Sequence, residues 1–242
     1  MDVIVLTAAI AAGAVAAVSG FGIGSFLTPL LALIMEAHVA VAAVAIPHVI
    51  GTAVRYGMLK VGADRRVLLT FGAASAAGAL AGALLQPRTS SRSITLLFGV
   101  LLLFVAVMEL TGATRRLRFV GLPAWIAGLA SGILGGLAGN QGGIRSAALL
   151  GFNLPRDVFV ATATAIALAI DSVRLPIYLA NYWHELRGMS RVVVIASVGV
   201  LVGTAIGGRV LRIIPEERFR LVVAALLAFL GASMLLRAAT VP

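Results

Sequence analysis

Two apolar stretches of this chain are broken by polar, glycine-rich pentapeptides in matching places. Gly20-Phe21-Gly22-Ile23-Gly24 interrupts the first, and Gly139-Asn140-Gln141-Gly142-Gly143 interrupts the second 119 positions later. The same offset pairs Gly13 with Gly132, Leu30-Leu31 with Leu149-Leu150, and Val54-Arg55 with Val173-Arg174. Beyond a polar connection the offset becomes 125, pairing Arg66-Val67 with Arg191-Val192, Gly78 with Gly203, Gly82 with Gly207 and Phe104 with Phe229. A six-residue change is cheap in a connection and costly inside a packed helix. The chain therefore reads as two copies of one unit, residues 1–112 and 122–242, joined by a basic linker at 113–121. Each copy opens with a glycine-broken hydrophobic segment. In membrane transporters paired interruptions of this kind point to the substrate site.

The medium follows from charge and hydropathy. Only 12% of residues are charged, about half the usual share for a soluble domain, and 61% are hydrophobic. Mean hydropathy is +1.08. The apolar residues come in long runs without amphipathic spacing, so the helices face lipid or one another. The strict alternation of an outer-membrane barrel is absent. The predicted fold is an all-α polytopic membrane protein.

Five hydrophobic segments are expected in each copy: 3–18, 21–35, 38–58, 66–86 and 92–111, then 122–138, 143–152, 155–181, 190–211 and 217–238. Asp64, Ser90 and Ser91 are placed to cap helix starts, as are Asn153 with Pro155 and Pro215 with Glu216 and Glu217. The segment 143–152 would rise only about 15 Å, half the hydrocarbon thickness. The two opening segments of each copy are thus expected to be half-helices, or a re-entrant pair, meeting at the break. An odd number of segments per copy sets the copies in opposite orientations, giving two inverted-topology repeats with a broken opening pair and three spanning helices each. Arginines concentrate at Arg55, Arg65 and Arg66 (with Lys60), at Arg115, Arg116 and Arg118, and at Arg209, Arg212, Arg218 and Arg220. The other side carries Arg88, Arg92, Arg187 and Arg191. The positive-inside rule then places both termini outside a bacterial-type inner (cell) membrane.

The net charge of +10 is accounted for by these connections, so no nucleic-acid partner is implied. With no cysteine, disulfides, thiolate metal sites and thiol nucleophiles are excluded. The three histidines lack metal-ligand spacing. Neither a Walker sequence nor a Gly-x-Ser-x-Gly elbow is present. No enzyme chemistry and no cofactor are expected.

The stretch Gly20-Phe21-Gly22-Ile23-Gly24-Ser25-Phe26-Leu27-Thr28-Pro29 resembles the signature of the sulfite exporter TauE/SafE family, also called the toluene-sulfonate uptake permease family. The resemblance covers nearly the whole chain. Leu154-Pro155-Arg156, and the arginine after each third helix, Arg55 and Arg174, are similar as well. The second copy departs from the pattern, with Ala148 where the proline would fall. The resemblance implies export or uptake of small sulfur-containing anions such as sulfite, sulfonates or sulfoacetate.

The residues themselves suit an anion. Helix N-termini near Gly24 and Gly143 would aim unpaired N–H groups at the membrane's middle, and glycine admits a close approach. The expected substrate-binding set is Gly20, Gly22, Gly24, Ser25, Gly139, Asn140, Gln141, Gly142, Gly143, Arg145 and Arg174. Arg145 interrupts an apolar segment and carries paired donors for oxyanion oxygens. A snorkelling arginine is the plainer reading. Asp171 and Arg174 share a helix face, as a structural ion pair or as part of the transport path. His48, beside Pro47, reads as a structural histidine or as a proton relay. With Asp171 it is the candidate for coupling to protons. Gly78, Gly82, Gly203 and Gly207 read as helix-packing glycines, whether within one subunit or between two of a homodimer. Trp125, Tyr178, Tyr182 and Trp183 read as an aromatic belt, and Arg55 as an interfacial anchor. The function expected is a secondary transporter of a small sulfur-containing anion, working by alternating access. A channel-like anion pore and a non-transporting membrane subunit are the alternatives.

Overall fold

The computed structural model describes residues 1–19, 22–59, 61–112, 121–139, 142–210 and 215–240. Gly20, Asn140, Gln141, Lys60, Arg212 and the linker arginines Arg115, Arg116 and Arg118 lie outside the described residues. All regular structure among the described residues is helical. The first copy contributes α1 (Asp2–Ser19), α2 (Ile23–Ala32), α3 (Ala37–Met58), α4 (Arg65–Arg88) and α5 (Ser91–Thr111). The second contributes α6 (Leu122–Ala138), α7 (Gly142–Leu150), α8 (Arg156–Gly188), α9 (Ser190–Val210) and α10 (Glu216–Thr240). Seven described helices are long and apolar enough to cross a membrane.

The caps explain where several of these begin. Asp64 accepts a hydrogen bond from the Val67 amide at 2.9 Å, opening α4, and Ser90 accepts from the Ser93 amide at 3.1 Å, opening α5. Ser91 does something else: its hydroxyl accepts from the Ala37 amide at 2.8 Å, capping the start of α3 from a neighbouring helix. Two boundaries differ from expectation. The opening pair of each copy is one long helix and one short one, not two halves. At 18 residues α1 rises about 27 Å, whereas the 10 residues of α2 rise only about 15 Å. And α8 runs on to Gly188, with non-helical backbone at Tyr182 (φ −127°) near the expected end at residue 181.

The two halves of the chain pack by pairing helices across the halves. Helix α1 lies on α9, and its counterpart α6 lies on α4. The third helices α3 and α8 pair with each other, as do the fifth helices α5 and α10. Glycine sets the first two contacts. A methyl group added at Gly203 would sit 2.0 Å from the Ile10 carbonyl oxygen, and one at Gly78 would sit 2.2 Å from that of Leu129. Backbones touch, as small residues permit where lipid supplies no hydrophobic drive. These glycine contacts are made within the single chain.

Directions follow from the contacts. Gly199, Gly203 and Gly207 meet Leu6, Ile10 and Ala14 in that order, so α1 and α9 run parallel. Gly128, Gly132 and Gly136 meet Phe71, Ser75 and Ala79, so α4 and α6 also run parallel. His38 stacks on Tyr182 while His48 meets Asp171, so α3 and α8 are antiparallel. One end of the bundle gathers Asp2 with Arg191, and Met35 with Arg237. The other gathers Asp64 with Thr162, and Glu109 with Arg220.

Candidate functional site

Non-helical backbone inside a membrane bundle is tolerated only where protein or water surrounds it. Both breaks meet this condition by meeting each other. Gly22 caps α2 at φ 138°, and Gly139 ends α6 in the left-handed region at φ 70°; both conformations favour glycine. A methyl group at Gly24 would lie 2.7 Å from the Gly139 carbonyl oxygen. The first turn of α2 therefore abuts the C-terminal end of α6. Ser25 and Thr28 on α2 are buried, as is Gly142 at the start of α7. Gly143 lies in the first turn of α7.

Around this junction lies a buried charge cluster. Arg145 on α7 is 2% exposed, and Arg55, Asp171 and Arg174 all lie within its electrostatic reach. Arg174 donates through Nε (2.9 Å) and Nη2 (2.8 Å) to Asp171 Oδ1. The other carboxylate oxygen is 2.6 Å from His48 Nδ1, which crosses from α3 in the first copy. The expected Asp171–Arg174 pair is thus formed, and His48 is joined to it. Arg145 is not an interfacial snorkeller, because its side chain is enclosed.

A device shared by both copies lies next to this cluster. Arg174 Nη1 donates to the Gly135 carbonyl at 2.9 Å. Arg55 Nη1 donates to the Ala16 carbonyl. Arg55 and Arg174 are repeat equivalents, and so are Ala16 and Gly135, so the same bond is made twice. Each arginine ties the third helix of its copy to the last turn of the opening helix. Carbonyls near a helix C-terminus are short of intrahelical donors, and inside a membrane water does not replace them. The Gly135 carbonyl also accepts the Gly139 amide at 2.9 Å, so the Arg174 guanidinium is its second donor, and each guanidinium complements the negative end of the helix dipole. Tyr178 adds a second bond, donating to the Gly136 carbonyl while its ring lies 5.9 Å from the Arg174 guanidinium carbon.

Three expectations are corrected here. Arg55 is buried, not interfacial, because its guanidinium is consumed by a helix end inside the bundle. Tyr178 and Tyr182 are buried and do not form a belt. Tyr178 closes the end of α6, and Tyr182 stacks on His38 with ring centroids 5.2 Å apart. Trp125 and Trp183 are exposed, as belt residues are. The tether was missed although a signal was present: Val54-Arg55 and Val173-Arg174 place an arginine at the same point of both copies, which predicts a common role.

The copies differ at the centre. Arg145, Asp171 and His48 align with Phe26, Thr52 and Ala167 of the opposite copy. The polar groups particular to one copy are thus the ones gathered at the junction.

Apolar helices of membrane-spanning length, with two short broken helices and a buried charge cluster among them, make a multi-pass membrane protein. The sequence matches the family model for the sulfite exporter TauE/SafE over residues 5–234, and the chain belongs to that family. Membership carries the coarse function of a membrane exporter or permease for sulfite-like anions. No curated protein and no solved structure matches the chain.

Proposed function

We propose that the protein is a secondary transporter of a small sulfur-containing anion, such as sulfite, a sulfonate or sulfoacetate, and that its site lies where the two glycine breaks meet. One observation carries this reading. The buried ionised groups among the described residues are three guanidiniums, from Arg55, Arg145 and Arg174, and one carboxylate, from Asp171. Buried charge of one sign is expensive without a counter-charge. An oxyanion bound at the junction would add negative charge to this cluster. Arg145, buried on the short helix α7 that follows the second break, is the proposed main contact, with Ser25 and the N–H groups of the first turns of α2 and α7 around it. Gly20, Asn140 and Gln141 belong to the same two breaks and complete the proposed set.

The exchanged pairing of the helices supports two inverted copies that rock about this junction to alternate access. The arginine-rich end, with Arg65, Arg66, Arg209, Arg218 and Arg220, faces the cytoplasm in this reading, and both termini lie outside. The test is uptake of labelled sulfite or a sulfonate by liposomes containing the purified protein. Saturable flux that Arg145→Ala abolishes, with normal yield and folding, is expected. Flux that never saturates would replace the transporter with a pore. The absence of flux for every sulfur oxyanion and sulfonate would leave a non-transporting subunit.

A further inference from the structure

We infer that His48 takes up a proton when the central site takes up its anion, so that the two cross the membrane in the same direction. The inference rests on the anion site proposed above. Its geometry is that of a histidine held by one nitrogen and open at the other. Asp171 presents one oxygen to Arg174 and the other to His48 Nδ1. A carboxylate gripped by a guanidinium stays an acceptor, so Nδ1 is the donor and carries hydrogen in both protonation states of the ring. The second proton goes to Nε2. The charge of the ring then changes without breaking the bond to Asp171, which becomes charge-assisted. Of the two partners the histidine is the accessible one: its side chain is 13% exposed and that of Asp171 is 0%.

The surrounding charges set the sign of the coupling. Asp171 on α8 bonds His48 and Arg174, and Arg145 on α7 lies within electrostatic reach of His48. On its own helix, Arg55 lies within electrostatic reach of Asp171. Helix α2 brings no titratable group. The charged residues of α9 and α5 stand at helix ends: Arg191, Arg209 and Arg92 are exposed, and Glu109 is paired with Arg220. A protonated His48 is therefore attracted by Asp171 and opposed by Arg145 and Arg174. An anion at Arg145 offsets that opposition. By linkage, a proton at His48 then strengthens anion binding by the same factor. Cooperative binding favours the loaded and the empty carrier over half-loaded ones, which is co-transport. The bond also joins the two copies, α3 to α8. Pro47 leaves the Ala43 carbonyl without its helical donor, so α3 can bend next to His48.

The experiment uses purified full-length protein and methanesulfonate, whose single charge is fixed across the working pH range. Calorimetry in buffers of different ionisation enthalpy reads protons taken up per anion bound. Wild-type protein is expected to take up as much as about one proton per anion, with affinity falling by up to about tenfold per pH unit on the alkaline side. In His48→Gln, which keeps a donor to Asp171, binding persists while proton uptake and pH dependence disappear. Binding by wild-type protein without proton uptake, or uptake that survives in His48→Gln, overturns this inference and leaves the anion site standing. Failure of sulfite and sulfonates alike to bind overturns the anion site and the coupling with it. The wild-type measurement stands alone if the variant does not fold.

Discussion

Arg55 and Arg174 make the same bond to the end of an opening helix, and Arg174 also holds the buried carboxylate of Asp171. Their removal should therefore differ in a calculable way. Arg55→Met removes a donor from the Ala16 carbonyl, costing about 1–3 kcal/mol. Arg174→Met removes one of two donors from the Gly135 carbonyl, which keeps the Gly139 amide, and strands the Asp171 charge, with His48 as its remaining partner. Breaking a buried pair by removing one member costs about 3–5 kcal/mol in all. The expected gap between the two variants is about 2 kcal/mol, roughly 30-fold in the unfolding equilibrium. Adding Asp171→Asn to Arg174→Met removes the stranded charge and keeps an acceptor for His48. The double variant should return to about the stability of Arg55→Met. Denaturant titration of detergent-solubilised protein, followed by the fluorescence of Trp125 and Trp183, measures all four chains. Equal losses for the two single variants, or a double variant no better than Arg174→Met, would refute the assignment of Asp171 to Arg174.

Two further substitutions test the packing. Gly203→Ala puts a methyl 2.0 Å from the Ile10 carbonyl, so α1 and α9 must part by more than 1 Å to reach ordinary contact; a loss of about 1–3 kcal/mol is expected. Gly57→Ala has nothing within 4 Å and serves as the control, and equal melting temperatures for the two would sink the close-approach account. Tyr178→Phe removes the donor to the Gly136 carbonyl and should cost about 1–2 kcal/mol in thermal unfolding, whereas a lipid-facing belt tyrosine would lose nothing.

The features legible in the sequence were those a repeat or a composition can express. Long apolar runs declare membrane helices because nothing else tolerates them. Gly203 and Gly78 were legible as packing residues because spacing of four on a helix makes a groove. Asp64 and Ser90 were legible because capping is local. What escaped was set by depth and by distant partners. Tyr178 and Trp183 are both aromatic residues near the end of one apolar segment, and hydropathy treats them alike. Only the packing of α8 against the end of α6 separates the buried ring from the exposed one. Arg55 was misread for the same reason: an arginine near a helix end is usually at the interface, but here α1 ends inside the bundle and needs a donor there. The meeting of Gly24 with Gly139 is invisible along the chain, since it depends on how two helices from different copies lie together.

Duplication also constrains how such a site can work. If the two copies are inverted equivalents, exchanging their conformations turns an outward-facing carrier into an inward-facing one. The two states then differ little in energy, because contacts such as Arg55 with Ala16 and Arg174 with Gly135 are interchanged and not lost. Residues that lack a repeat equivalent escape this cancellation. His48, Asp171 and Arg145 are such residues, and they sit where the copies meet, so their occupancy and charge can bias which state prevails. A proton on His48 or an anion at Arg145 needs a differential of only a few kcal/mol to move the population substantially. Symmetry in the scaffold with asymmetry at the centre is what a carrier driven by its own ligands requires.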